Sequence, residues 1–247
     1  MALVFEKNHQ GVNYQIVQAG NSIRLYTDKV LHTQYNHQQK LTSSVWDLLF
    51  LPALVFPVDK PLRVLVLGVG GGAVLKMLDE YFHCTKITGL ELNPMHIQLA
   101  EKFFQVKGRP FELIEGDAIE YVENYQGEKF DLIIDDLFYE EDNEPIKVAA
   151  PDNIWLLHLY SILKPNGVIA MNFVGRKAAL SAAPLHNGYL MGLLPNCLHF
   201  TTPFYDNHVL AFSKREMMPG LVKQGIKQRP LLASNKNKLR YACRQLK

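Results

Sequence analysis

Along residues 12–35 polar and apolar positions alternate, in "VNYQIVQAG" and then "NSIRLYTDKVLHTQY", with Ala19-Gly20-Asn21 at the junction. A period of two predicts half-buried strands, and the glycine turn between them predicts a hairpin. Over 41–56 apolar residues crowd at helical spacing and stop near Pro52 and Pro57, which predicts a core helix. From Arg63 a third rhythm begins. Short continuous apolar runs at 63–68, 86–92, 111–117, 130–135 and 168–174 read as buried strands. Between them, 73–82, 94–104, 118–125 and 151–167 have helical spacing, the last stopping at Lys164-Pro165-Asn166-Gly167. "CLHFTTPF" (197–204) and "NHVLAFSK" (207–214) read as two final strands. Strands alternating with helices predict a parallel sheet covered on both faces, an α/β architecture. The chain divides into a β-hairpin unit over 1–40, the alternating domain over 41–214, and a helical tail over 215–247.

The totals change this picture little, but their distribution matters. The chain has 247 residues, 26 Lys and Arg against 24 Asp and Glu, and a net charge of +2. Ten of the basic residues and a single acid, Glu216, lie from Lys214 onward, so the body carries −7 and the tail +9. The tail's charges are spread out and lack interleaved aromatics, so it reads as a solvated helix offsetting an acidic body, and nucleic acid is not the expected partner. Cys84, Cys197 and Cys243 are far apart and odd in number, which argues against a disulfide framework or zinc site and fits a reducing cytoplasm. The start "MALVFEKNHQ" has no signal-peptide pattern, and the most apolar window, 45–58, contains Asp47 and two prolines and is too short to span a bilayer.

The chemistry concentrates at strand ends. In "VLVLGVGGGAVLKML" (64–78) Gly68, Gly70, Gly71 and Gly72 separate a strand from a helix. Such a loop lets the backbone approach a ligand, and the helix behind it presents free N–H groups. Dinucleotides and S-adenosylmethionine-type ligands both use it. Glu91 in "GLELNP" ends the second strand of the alternating domain some twenty residues later, where an acid accepts ribose hydroxyls. Asp117 in "EGDAIEY" ends the third, where it either faces an adenine amino group or caps a helix. Asp135 and Asp136 end the fourth, and Glu140, Glu141, Asp142 and Glu144 follow. Four successive strand ends meet along one edge, where open α/β sheets hold ligands.

In this order the motifs "VLVLGVGGGAVLKML", "GLELNP", "EGDAIEYV" and "FDLIIDD" resemble the spermidine synthase family of aminopropyltransferases, over roughly 12–213. The resemblance implies the class I S-adenosylmethionine-dependent methyltransferase fold, Rossmann-like and seven-stranded, with a small N-terminal β domain. It implies S-adenosylmethionine or its decarboxylated form as donor, held by Gly68, Gly70, Gly72, Glu91, Leu92, Asp117 and Ala118. Family members are often dimers, and the β appendage is an available contact surface for a homodimer. Three departures stand out. The acid that the family carries inside its glycine loop is here Gly71. The second Asp of its D-x-x-D pair is here Tyr139, while Asp136 matches the first. Its Tyr-His-Glu segment is replaced by "LTSSVWDLL". The nucleoside-gripping residues remain while the polyamine-gripping acids are largely gone.

This pattern favours methyl transfer to an amine, with Asp136 holding the ammonium and accepting its proton. Asp135 is the alternative base or an adenine contact, and Tyr139 either orients the amine or packs. The acidic stretch is expected to draw in a cationic acceptor, a small amine or a basic protein side chain, or to be a solvated turn. An aminopropyltransferase making a polyamine, a non-catalytic nucleoside-binding scaffold and a dehydrogenase are the competing readings. His32, Gln34 and Tyr35 end the β appendage, near the acceptor or structural. His96, His158, His186, His199 and His208 show no metal-ligand spacing and read as structural or surface.

Overall fold

Residues 64–67, "VLVL", and 132–134, "LII", carry no polar side chain, and both lie in central strands buried on both faces. The computed structural model describes residues 1–38, 40–141 and 144–247. The alternating domain is built from β5 (Leu62–Leu67), α2 (Ala73–Tyr81), β6 (Cys84–Glu91), α3 (Pro94–Phe103), β7 (Phe111–Glu115), α4 (Ala118–Glu123), β8 (Phe130–Asp135), α5 (Asn153–Ser161) and β11 (Leu163–Val174). β12 (Asn196–Thr202) and β13 (Tyr205–Ser213) follow, and β14 (Ala242–Gln245) closes the chain. Among the described residues the central sheet runs β14-β12-β13-β11-β8-β5-β6-β7. Strands β11, β8, β5, β6 and β7 are parallel, and β13 joins β11 antiparallel. Successive residues of β5 serve opposite faces: Val64 and Val66 join one core, Leu65 and Leu67 the other. The strand order reverses at the β5–β8 pair, which opens a crevice at their carboxyl ends.

Ahead of this sheet stands a separate antiparallel one: β1 (Ala2–His9), β2 (Val12–Ala19), β3 (Ser22–Thr27) and β4 (Val30–Asn36). The expected long second strand over 21–35 is two strands, because Asp28 and Lys29 both take positive φ (46° and 75°) and turn the chain. The helix expected over 41–56 is shorter. α1 (Val45–Phe50) passes into a 3-10 turn at Leu51–Val55, where Pro52 removes a donor. Its first turn is tied by Asp47, which accepts from the Thr42 N–H (3.0 Å), the Thr42 hydroxyl (2.9 Å) and the Ser43 N–H (2.8 Å).

The helix expected over 151–167 ends at Ser161. The segment through Pro165 opens β11 instead, with a register shift between Leu163 and Val168 where the chain bulges around the proline. The acidic stretch is a hairpin, β9 (Phe138–Glu141) with β10 (Glu144–Lys147). Asp142 lies outside the described residues, as do the side chains of Glu140, Glu141 and Glu144.

Residues 215–247, expected to be a helical tail, form two helices (Pro219–Lys227 and Pro230–Asn235) and then β14, which pairs with β12. The buried Arg229 anchors this segment. Its guanidinium donates to the carbonyls of Tyr81 (3.1 Å), Gly225 (3.0 Å) and Phe56 (3.4 Å) and stands over the Phe82 ring at 4.5 Å. Among the described residues no helix is long and apolar enough to cross a membrane.

Candidate active site

The crevice at the carboxyl ends of β5, β6, β7 and β8 is a cavity of about 500 Å³, within the range of small-molecule sites. Gly68 leaves β5 with φ +86°, and a Cβ there would overlap the Asp136 carbonyl, so the loop and the end of β8 lie against each other. At Gly70 (φ +53°) a Cβ would meet the His32 carbonyl and the Thr33 hydroxyl, both at 3.0 Å. Gly71 donates its N–H to Thr33 Oγ1 at 2.6 Å. A side chain at 71 would press on Thr33 (2.9 Å) and on the Phe104 ring (3.0 Å). The position that is acidic in the resembling family is thus closed by packing against the N-terminal sheet.

Glu91 receives the loop. Its Oε2 accepts from the N–H of Val69 (3.1 Å) and Gly70 (2.8 Å), and Oε1 from the N–H of Asn93 (2.9 Å), with His96 Nδ1 at 3.6 Å. Burial pushes this carboxyl up, but His96 and the Asn93 and Gly70 N–H groups outweigh it and hold it below the usual range. Asp117 does two things at the end of β7. It caps α4, accepting from Ile119 N–H (2.7 Å) and Glu120 N–H (3.1 Å), and it lines the cavity beside Ala118. Leu92, 70% exposed, forms part of the rim.

The two neighbouring aspartates part company. Asp136 lines the cavity and accepts from Asn172 Nδ2 at 2.8 Å. Burial pushes its carboxyl up to about 6, with Asp135 and Glu91 adding to the rise and Asn172 and Lys147 opposing it. Asp135 is fully buried and does not line the cavity. Its oxygens accept from Trp155 Nε1 (2.9 Å) and Lys147 Nζ (2.9 Å), which makes it an internal ion pair under the hairpin. Lys147, packed over Phe138 and Phe173, is the cation that answers the charge of Asp135. The roles expected for Asp135, as base or adenine contact, are corrected accordingly: the strand's alternation turns it to the face opposite the cavity. Gly72 is corrected likewise. It caps α2 with φ +82° and does not line the cavity, because Val106 packs against it. Tyr139, on β9 and 48% exposed, stands at the cavity's edge.

Several lining residues were not anticipated as site residues. His96, read as structural or surface, is buried on α3 and faces Glu91, and its Nε2 lies 2.8 Å from Thr27 Oγ1 on β3. His32, on β4 and expected near the acceptor or structural, lines the cavity with its ring tilted against His96 at 4.7 Å between ring centres. Burial, then His96, lowers His32 to about 4, so it is neutral at pH 7. Trp46 from α1, Asn172 from β11 and Asn207 from β13 complete the wall. Among the described residues the lining contains Glu91, Asp117 and Asp136 and no Lys or Arg. An acidic cavity of this kind suits a cation, and the residues fit an adenosine derivative with a charged sulfur.

Residues 64–167 match the family described as Methyltransferase domain. Over 132 residues the chain is 27% identical to the eEF1A lysine and N-terminal methyltransferase homolog of Drosophila melanogaster, covering 50% of this chain and 19% of that protein. Over 163 residues it is 28% identical to a polyamine aminopropyltransferase of Neisseria meningitidis, covering 64% of this chain and 60% of that one. It therefore spans about a fifth of the first relative and three fifths of the second. Across 99% of its length it superposes on a probable spermidine synthase from Corynebacterium glutamicum, with a TM-score of 0.72, 14% identity and 91% of that chain covered, a likeness of fold. The chain is thus similar to spermidine synthases and to methyltransferases, and has the class I methyltransferase fold.

Proposed function

We propose that this protein is an S-adenosylmethionine-dependent transferase that methylates an amine. The observation that carries the reading is the convergence of Gly68, Gly70, Glu91, Asp117 and Asp136 on one cavity. In this reading Glu91 accepts the ribose hydroxyls, Asp117 and Ala118 take the adenine side, and the glycine loop takes the amino-acid end. Bound there, the donor supplies an electrophilic carbon on a cationic sulfur. Asp136 holds the acceptor's ammonium and accepts the proton that nitrogen must lose before its lone pair attacks. The walls then keep nitrogen and carbon in line, which is where most of the acceleration of such a displacement arises. Tyr139 borders the amine, and the acidic hairpin raises the local concentration of a cationic acceptor.

Aminopropyl transfer to make a polyamine is the second reading, favoured by Asp136 and by the name of the Neisseria relative. The surroundings of Gly71 favour the first reading. An acid at that place would favour the decarboxylated donor, whose end carries only an amine, and would repel the carboxylate of S-adenosylmethionine. Here the place is filled by Thr33 and Phe104. Calorimetric titration with both donors tests the choice. Tighter binding of S-adenosylmethionine is expected. Preference for the decarboxylated form would reverse the assignment, and binding of neither would end both readings.

A further inference from the structure

Asn172 is a polar residue in the middle of an otherwise apolar strand, "VIAMNFV", and is 3% exposed. An amide so placed carries a desolvation cost unless it is bonded on both sides. Its Nδ2 donates to Asp136 Oδ1 at 2.8 Å, and its Oδ1 accepts from Asn207 Nδ2 at 3.2 Å. The chain of donors runs one way, from β13 through β11 to the end of β8. Turning the Asn172 amide over would place its oxygen against the carboxylate and its nitrogen against the Asn207 nitrogen, so Asn207 fixes which end faces Asp136. Both asparagines line the cavity. Asn172 pairs in register with Val209, while Asn207 sits one pair beyond Phe173, opposite Val174, so the two side chains come from neighbouring strands at the crevice edge.

We infer that Asn172, oriented by Asn207, is the positioning residue that keeps Asp136 ionised and holds one of its oxygens while the acceptor takes the other. The inference rests on the proposed function for Asp136's role as base and adds the device that keeps that base ready. The other charged groups around Asp136 do not substitute for it. Asp135 and Glu91 are negative and disfavour its ionisation, and Lys147 is engaged with Asp135 at 2.9 Å. Tyr139 and the neutral His32 also line the cavity and bring no positive charge at pH 7. Removing the Asn172 donor takes away an interaction made with the charged form, so the carboxyl must move up.

The test is direct titration of Asp136 by carbon NMR on protein labelled at aspartate carboxyl carbons, with Asp136→Asn to assign the signal. Asn172→Ala is expected to raise the midpoint by about one pH unit, a tenfold change in proton affinity. Asn207→Ala should move it the same way by less, and Asn172→Gln should recover part of the shift. The rise should also appear in the acidic limb of kcat/KM for methyl transfer to 1,4-diaminobutane or a lysine peptide. A midpoint that stays put in both Asn172→Ala and Asn207→Ala overturns the inference, and Asn207→Ala decides alone if the first variant does not fold. Wild-type calorimetry with S-adenosylmethionine separates the two levels: a failure to bind there sinks the proposed function, whereas normal binding with an unmoved midpoint sinks only the role of Asn172.

Discussion

Replacing Glu91 with glutamine changes one oxygen into an NH₂ group in a place where only acceptors fit. The carboxylate takes three backbone N–H bonds, from Val69, Gly70 and Asn93, at 2.8–3.1 Å. Glutamine can keep its oxygen toward the glycine loop, and then its nitrogen faces the Asn93 N–H. Turned the other way, it faces two N–H groups of the loop. The first arrangement wins because it opposes one donor instead of two. It still leaves one N–H without an acceptor, at a cost of about 1–3 kcal/mol. For a chain of this length that lowers the melting temperature by roughly 2–10 °C. The same NH₂ also displaces an acceptor from the proposed ribose hydroxyls, a further loss of about 1.5–3 kcal/mol for bonds to a charged group, or roughly ten- to hundredfold in affinity. Calorimetry with S-adenosylhomocysteine, whose sulfur is uncharged, isolates this contact from attraction to the sulfonium. A Glu91→Gln protein that binds S-adenosylhomocysteine within about threefold of wild type would refute the ribose assignment, and an unchanged melting temperature would refute the hydrogen-bond accounting.

Two further outcomes are expected. Arg229→Met keeps an apolar stem but removes the guanidinium over Phe82 and strips three carbonyls of their donor, so it should destabilise the fold by about 3 kcal/mol in urea titration at unchanged m-value; a loss below about 1 kcal/mol would show that the C-terminal segment is not anchored there. His199, 2.7 Å from the His208 ring nitrogen, is driven down to about 4 by burial and then by His208, Arg244 and Arg176. Between pH 6.5 and 4 the unfolded chain binds the proton that folded His199 refuses, so stability is present above that window and lost as pH falls through it. The loss is at most about 3 kcal/mol, and His199→Gln should flatten this part of a stability-against-pH curve; an equally steep curve in the variant would assign the effect elsewhere.

What the sequence made legible was whatever a local pattern can encode. Val64–Leu67 and Leu132–Ile134 announce buried strands because no polar residue interrupts them, and the glycines, Glu91 and Asp117 announce a ligand edge because they fall at strand ends. The preference for Asp136 over Asp135 came from the resemblance and was not legible in the local pattern. Both sit at the end of β8, and a shift of one residue exchanges the faces of a strand. His96 was missed because its meaning depends on Thr27 and His32, residues some 65 positions earlier that meet it only when the N-terminal sheet docks. Asn172 did leave a signal, since a lone amide inside an apolar run requires a partner, but its partners come from two other strands. Residues 236–247 misled for a different reason. Charge density suggested a solvated helix, whereas Ala242–Gln245 finds an unpaired edge of the sheet at β12.

The contact between Thr33 and Gly71 has a consequence for how such proteins diversify. An acid cannot be restored to the loop by one substitution, since its stem would collide with two neighbours from separate parts of the chain. Thr33 would have to shrink, the Phe104 ring would have to retreat, and only then would a carboxylate be accommodated. Intermediate sequences would have a disturbed pocket and neither preference fully formed. Steric crowding, more than chemistry, therefore keeps an acid out of this loop, and a designer wishing to introduce one should begin in the small N-terminal sheet.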